Sequence, residues 1–319
     1  MSHWVKDAEG RDYVGELIVP LLAVNPRPER VCSAENLPVT GNKDELSKPP
    51  GSDWLFFKLY GDKEYQDDLL IEFGEFAQRE LVSFNCQWFF VRYIDPVPHI
   101  RLRIHGDPGT LNKEVYHNIS FWLRSYFLNG LVSRIMLDTY DREVRRYGGF
   151  RTMDISEEFF HLDSRTVIQI LQHQRLKKVF EDKVTLGVIS LHYFLTLLGL
   201  TEEEIWNFIS TAQDDRQGQY SKREAGDAFR KRRRVIMKTL LDRTSQDLLG
   251  APNHLSQSIR EFCSRVSIDA EGTIQRLLPS LAHMHLNRLG IMPSDEAQVY
   301  HHVGRAYDAL RHDSRVQVR

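Results

Sequence analysis

At 319 residues, 41% hydrophobic and 27% charged, the chain has room for one large domain or two modest ones and the balance of an ordinary globular protein. Its formal net charge of −2 supplies no global field toward nucleic acid or a membrane surface. Cys32, Cys86 and Cys263 lack metal-ligand spacing, which argues against a disulfide scaffold, and the opening MSHWVKDAEG lacks the apolar core of a signal peptide, so a reducing cytoplasm is expected.

Glu16–Ala23 reads as a short strand, placed at an edge by Pro20, and Pro26 to Pro50 as an exposed linker. Regular patterning begins with a strand at Asp53–Tyr60. Gly61-Asp62 opens a helix whose apolar positions Leu69, Leu70, Phe73, Phe76, Ala77 and Leu81 keep helical spacing. Trp88–Tyr93 is aromatic and β-branched, Asp95-Pro96-Val97-Pro98 is a turn, and His99–Ile104 alternates strictly. A helix at about Leu111–Phe127 and a strand at about Val132–Tyr140 follow. This strand–helix–strand–strand–helix–strand order (βαββαβ) predicts a ferredoxin-like sheet region with both helices on one face.

From Asp154 the pattern is helical. The expected helices are about Ser156–Gln174, Lys183–Leu198, Thr201–Ala212, Lys222–Arg243, Ser256–Ser267, Thr273–Leu289 and Asp295–Arg311. Val184–Leu200, at 17 residues, is short for a membrane span and reads as a buried helix. The expected class is α+β: an N-terminal strand and linker over 1–50, a sheet region over 51–150 and a larger helical region over 151–319, packed as one body.

Four groups of residues have chemical potential. In His99–Ile104, alternation puts Ile100, Leu102 and Ile104 on one face and His99, Arg101 and Arg103 on the other. That polar face is either a solvated sheet surface or a preorganised anion site. In Tyr140–Gly149, Glu143 and Arg146 pair if the segment turns helical, and two glycines permit a sharp turn. In His283–Gly290, His283 and Asn287 share a helical face while His283 and His285 point about 200° apart, which argues against a chelating pair. The fourth, Arg230–Arg234, spreads around its helix as a solvated face or a contact for RNA or an acidic partner. The chain lacks the signatures of P-loop and dinucleotide binding, zinc proteolysis and α/β-hydrolases. Arginines, a Glu–Arg pair and a histidine suggest anion stabilisation with proton transfer and leave the substrate open.

In this order, WLFFKLYG, WFFVRYIDPVPHIRLRI, DTYDREVRRYGG, EEFFHLDS and SLAHMHLNRLG resemble the C-terminal elimination domain of class I lanthipeptide dehydratases and its stand-alone versions in thiopeptide biosynthesis. The resemblance implies a lyase. A separate tRNA-dependent protein esterifies Ser or Thr of a precursor peptide with glutamate, and this domain expels the glutamate to leave dehydroalanine or dehydrobutyrine. Without a long glutamylation region, the chain looks like the elimination component of a split dehydratase. The resemblance assigns Arg101 and Arg103 to glutamate binding and charge stabilisation, Arg146 with Glu143 beside them, and His283 to proton transfer. His99, Tyr147 and Asn287 are expected to support substrate binding. No cofactor or metal is required, while direct tRNA contact and homodimer formation stay open. Two alternatives are a pyridine synthase, which joins two dehydroalanines in a formal [4+2] cycloaddition, and an idle scaffold that binds the precursor peptide.

Overall fold

A computed structural model describes residues 43–180, 182–214, 222–241, 244–269 and 273–312, with two short segments, Val5–Lys6 and Asp12–Tyr13. The chain divides into units Met1–Leu37 and Pro38–Arg319. In the first, Val5–Lys6 pairs antiparallel with Asp12–Tyr13. The strand expected at Glu16–Ala23 and most of the expected linker lie outside the described residues. The end of that linker is structured: Lys43–Leu46 forms one helical turn, and Ser47–Lys48 pairs antiparallel with Tyr140–Asp141.

The second unit is mixed helix and strand, and mostly helical. Its main sheet has four strands, β1 (Trp54–Tyr60), β2 (Gln87–Ile94), β3 (Pro98–His105) and β4 (Arg134–Leu137), in the order β2-β3-β1-β4 with every pair antiparallel. The strand expected over Val132–Tyr140 is therefore two pieces, β4 and the short Tyr140–Asp141. Alternation decides which face meets what. Leu102 lies opposite Phe57 and Phe90, Ile104 opposite Leu55 and Trp88, and these side chains are buried. They pack against α1 (Gln66–Phe76) and α2 (Tyr116–Leu128), where Phe73 meets Trp88 edge-on at 4.9 Å and Phe57 stacks on Tyr116. The opposite face carries His99, Arg101 and Arg103 and is turned toward the C-terminal helices.

Those helices are α3 (Phe150–Lys177), α4 (Lys183–Leu197), α5 (Glu202–Asp214), α6 (Lys222–Leu241), α7 (Asn253–Asp269), α8 (Thr273–Arg288) and α9 (Pro293–His312), with a short turn at Ser245–Leu249. Helix α4 is almost wholly buried, as its apolar sequence requires, and among the described residues no helix is long and apolar enough to cross a membrane. In the basic run of α6, Arg230, Lys231, Arg233 and Arg234 are exposed and Arg232 reaches Asp182 at 3.1 Å, so the segment is a solvated face.

Helices α3 and α8 close the outer edge of β2. A sheet edge presents unpaired N–H and C=O groups at alternate residues. Here Trp88 N–H donates to His161 Nδ1 (3.0 Å), Phe90 N–H to Ser164 Oγ (3.3 Å) and Arg92 N–H to Asn287 Oδ1 (2.9 Å). In return, Arg288 Nε donates to the Phe90 carbonyl (3.1 Å) and Asn287 Nδ2 to that of Arg92 (2.9 Å). Side chains thus supply the bonds of a fifth strand and fix both helices to the sheet.

This packing has a pH consequence. Burial pushes the pKa of His161 and of His192 down to about 4. Unfolded, each takes up its proton near pH 6.5; folded, only near 4. Unfolding therefore binds protons across that window, so stability is full above about pH 6.5 and falls as pH drops toward 4, by at most roughly 3 kcal/mol per histidine. Urea midpoints should fall between pH 7 and pH 5, and the fall should shrink in His161→Asn and His192→Gln. A midpoint unchanged over that range in the parent protein would refute the assignment.

Candidate active site

Strand register sets the environment of Arg103. It lies directly between Phe56 on β1 and Phe89 on β2. Its guanidinium sits 4.6 Å and 5.3 Å from those ring centroids and 4.5 Å from that of Tyr140. The rings supply cation–π stabilisation but no counter-charge. Arg103 Nε is shielded from solvent without an acceptor, and burial lowers the pKa of the group. An arginine so desolvated remains charged and favours a site open to an anion.

Two residues along β3, the Arg101 guanidinium lies 3.5 Å over the Tyr93 ring, and its Nε donates to His99 Nε2 at 3.2 Å. His99 Nδ1 lies 3.0 Å from the Val97 carbonyl, so the tautomer that serves both bonds is Nδ1–H with Nε2 as acceptor. Burial, with help from Arg101 and Lys58, lowers the His99 pKa and keeps the ring neutral. His99 is 1% exposed, and its bonds aim Arg101 instead of reaching a ligand. The support expected of His99 takes this form, behind Arg101 and outside the cavity lining.

The segment after Tyr140 is pinned to α3. Tyr140 Oη donates to Glu157 Oε1 (2.7 Å), and Arg142 grips the same carboxylate with Nε at 2.9 Å and Nη2 at 2.5 Å. With Glu157 buried, this bidentate pair fixes where the next turn lies. In that turn Arg146 Nη1 meets Glu143 Oε2 at 2.9 Å, the pairing expected from their spacing. Gly148 (φ 80) and Gly149 (φ 114) then carry the chain into α3 through left-handed backbone that a side chain would strain. Tyr147 is buried edge-on against Phe160, and burial raises its pKa, so it is a neutral phenol.

Helix α8 supplies the histidine. The amide of Asn287 accepts from and donates to the backbone of Arg92, so this residue docks the helix on the sheet while lining the cavity. One turn earlier, His283 Nδ1 lies 2.8 Å from Glu296 Oε2 at the start of α9. The Glu296 side chain is 6% exposed and that of His283 37%, leaving the other ring nitrogen of His283 available to the site. Nothing in the sequence flags Glu296: it lies past a helix break, out of any period shared with His283. His285 points elsewhere, as its 200° offset requires. It meets Asp163 Oδ1 (2.7 Å) and Ser190 Oγ (2.8 Å), while Arg288 pairs with Asp163 Oδ2 (2.7 Å). Serine, histidine and aspartate have the composition of a nucleophile triad, but Ser190 is fully buried and out of reach of solvent, so the trio reads as a structural network.

Arg101, Arg103, Glu143, Arg146, Tyr147, His283 and Asn287 all line one cavity of about 120 Å³. The space suits a small acyl group and is below the roughly 300–1,000 Å³ typical of drug-sized ligands. Of the expected site residues, only His99 stands outside it.

Residues 54–307 match the family described as "Lantibiotic biosynthesis dehydratase C-term". The chain is 29% identical over 296 residues to the subtilin biosynthesis protein SpaB of Bacillus subtilis, covering 89% of this chain and 28% of SpaB. It is 28% identical over 271 residues to the nisin biosynthesis protein NisB of Lactococcus lactis subsp. lactis, covering 83% of this chain and 26% of NisB. The chain thus spans less than a third of these relatives. In fold it is similar to the tRNA dependent lantibiotic dehydratase MibB from Microbispora sp. 107891 (TM-score 0.65, 23% identity, 83% of this chain and 29% of that one). It is also similar to the pyridine synthase TbtD from thiomuracin biosynthesis (TM-score 0.54, 16% identity, 81% of this chain and 98% of that one). With the family model covering most of its length, this chain belongs to the lantibiotic biosynthesis dehydratase C-terminal family.

Proposed function

We propose that the chain is a lyase that expels glutamate from glutamylated Ser or Thr residues of a ribosomally made precursor peptide, leaving dehydroalanine or dehydrobutyrine. One observation carries the reading: three arginines and a carboxylate-backed histidine converge on one small cavity, where Arg103 has no carboxylate of its own. The geometry suits a β-elimination. The Cα–H bond breaks and its electron pair forms the Cα=Cβ bond. The Cβ–O bond breaks, and its pair leaves on the glutamate carboxylate. Negative charge builds first on the residue's carbonyl oxygen and then on the leaving group, and Arg103 and Arg101 are the donors for both. His283 takes the Cα proton on its free nitrogen. Glu296 holds the ring by Nδ1, which selects the tautomer with a lone pair on Nε2. Arg146, paired with Glu143 at the rim, is placed to meet the far carboxylate of the glutamyl group.

Glutamylation falls to a separate tRNA-dependent protein in this reading, and both work in the cytoplasm. The order β2-β3-β1-β4 supports reading the sheet with α1 and α2 as a ferredoxin-like unit. The test is to incubate the purified protein with a synthetic glutamylated peptide and follow free glutamate and peptide mass. Release of one glutamate per modified residue is expected. His283→Ala should slow it by about 10²–10⁴-fold, the range for a lost general base. If glutamylated peptide persists while a dehydroalanine-bearing peptide is cyclised, the cavity serves the pyridine-forming reaction.

A further inference from the structure

A second cavity, of about 480 Å³, opens on the other side of β2. Trp88 forms one wall, standing edge-on to His161 at 5.6 Å. His161, Arg165 and Gln169, spaced four apart, form a polar stripe along α3 that lines it; Gln78 and His254 come from the turn after α1 and from α7. No acidic residue lines this space.

Arg165 breaks a pattern that holds elsewhere in the fold. The other arginines that α3 and β2 draw inward have carboxylate partners: Arg92 with Asp67 (2.7 Å), Arg142 with Glu157 (2.5 Å) and Arg288 with Asp163 (2.7 Å). Arg165 is half-buried and has no hydrogen-bond acceptor or ion-pair partner among the described residues. Among the described residues, the arginines that share this lack of a carboxylate partner while turned inward are Arg101 and Arg103, and both line the candidate active site. Removing a guanidinium from water without compensation is costly, and a fold that pairs its remaining inward arginines leaves one open where a ligand supplies the charge.

The ligand's charge follows by count. His161 is committed through Nδ1 to the Trp88 peptide, and burial together with the Arg165 charge holds it neutral near pH 7. Arg165 is then the one arginine or lysine of the lining. A monoanion neutralises it, whereas a phosphate dianion would carry a surplus negative charge into a partly desolvated site. The guanidinium fork and the Gln78 and Gln169 amides match the planar acceptor of a carboxylate.

We propose that this cavity is a carboxylate-binding site, separate from the candidate active site, with Arg165 as its anchor. Its occupant is either a small free carboxylate or an acidic side chain of a bound peptide; both present the same group.

Calorimetric titration of an Arg101→Gln/Arg103→Met protein, in which the arginines that hold glutamate in the proposed active site are removed, with L-glutamate, with a capped peptide containing one glutamate, with its glutamine counterpart and with inorganic phosphate tests this. At least one of the two glutamate probes should bind saturably and more tightly than phosphate or the glutamine peptide. Arg165→Gln should weaken that binding by about tenfold or more, the loss of one charge-assisted bond, and Arg165→Lys by less. Binding of free glutamate identifies a small-molecule site; binding of the peptide alone identifies a site for an acidic segment. In the folded Arg101→Gln/Arg103→Met background the proposal is overturned by binding that survives Arg165→Gln, by tighter binding of phosphate, or by no saturable binding to either glutamate probe. Circular dichroism of Arg165→Gln confirms that the variant folds. The outcome is independent of whether glutamate is eliminated at the other cavity.

Discussion

Arg103→Met is expected to abolish glutamate release while leaving thermal stability unchanged or raised. The two effects have separate causes. In the proposed elimination, activity falls because the arginine supplies fixed donors for charge that develops in the transition state, and losing one such group costs about 10²–10³-fold. Stability does not fall with it, because the guanidinium lies among Phe56, Phe89 and Tyr140 with a shielded Nε that finds no acceptor. A methionine fills the same slot without the desolvation cost, and replacing buried charge with apolar volume is commonly neutral or stabilising by about 1–4 kcal/mol. Arg103→Lys keeps a charge but loses the fork, and should restore only part of the rate. Thermal melts and glutamate release on the same samples decide the matter. A methionine variant that melts well below the parent would make Arg103 a structural cation and remove it from the proposed chemistry.

Asp163→Asn should be among the most destabilising conservative substitutions in the chain. Arg288 is fully buried and its Nη1 pairs with Asp163, which also holds His285. Burial works against the Asp163 charge, but His285 and Arg288 outweigh it, and the carboxyl pKa lies below its ordinary value. Asparagine leaves a buried guanidinium without its counter-ion, a loss of about 3–5 kcal/mol. The same sign governs acid. A depressed carboxyl pKa stabilises the fold at neutral pH, and that contribution is lost below about pH 4, as the pH falls through the folded-state value. The effect extends to the candidate site, since Arg288 also ties α8 to the Phe90 carbonyl and α8 carries His283. Urea unfolding of Asp163→Asn measures the first effect. A change under about 1 kcal/mol would mean that water or rearrangement replaces the lost pair.

Much of this arrangement was legible in the residues. Strict alternation separated Ile100 and Leu102 from Arg101 and Arg103 correctly, because a sheet with one buried face allows a single register. Helical spacing located α3 through α9 to within a few residues, with α3 beginning six residues earlier than expected, at Phe150. What alternation could not reveal was partnership across the fold. Arg142 and Arg146 stand in one basic run; that Arg142 belongs to buried Glu157 and Arg146 to the rim depends on where α3 passes. Glu296 behind His283 and Ser164 beside β2 are invisible for the same reason. Asn287 shares a face with His283 as expected, but its amide is spent on the Arg92 peptide, and only the packing of α8 on β2 shows this.

That packing also limits how a peptide reaches the site. Many peptide-binding proteins recruit an extended chain as an extra strand along an open sheet border, letting main-chain bonds provide affinity without regard to sequence. Here the border nearest His283 is already occupied by His161, Ser164, Asn287 and Arg288, and the other border of the main sheet is the four-residue β4. Among the described residues, a substrate entering this cavity finds no long open border of the main sheet beside it. Under the proposed elimination, recognition at the reacting residue then rests on the glutamylated side chain itself, which leaves the sequence on either side of that residue free to vary.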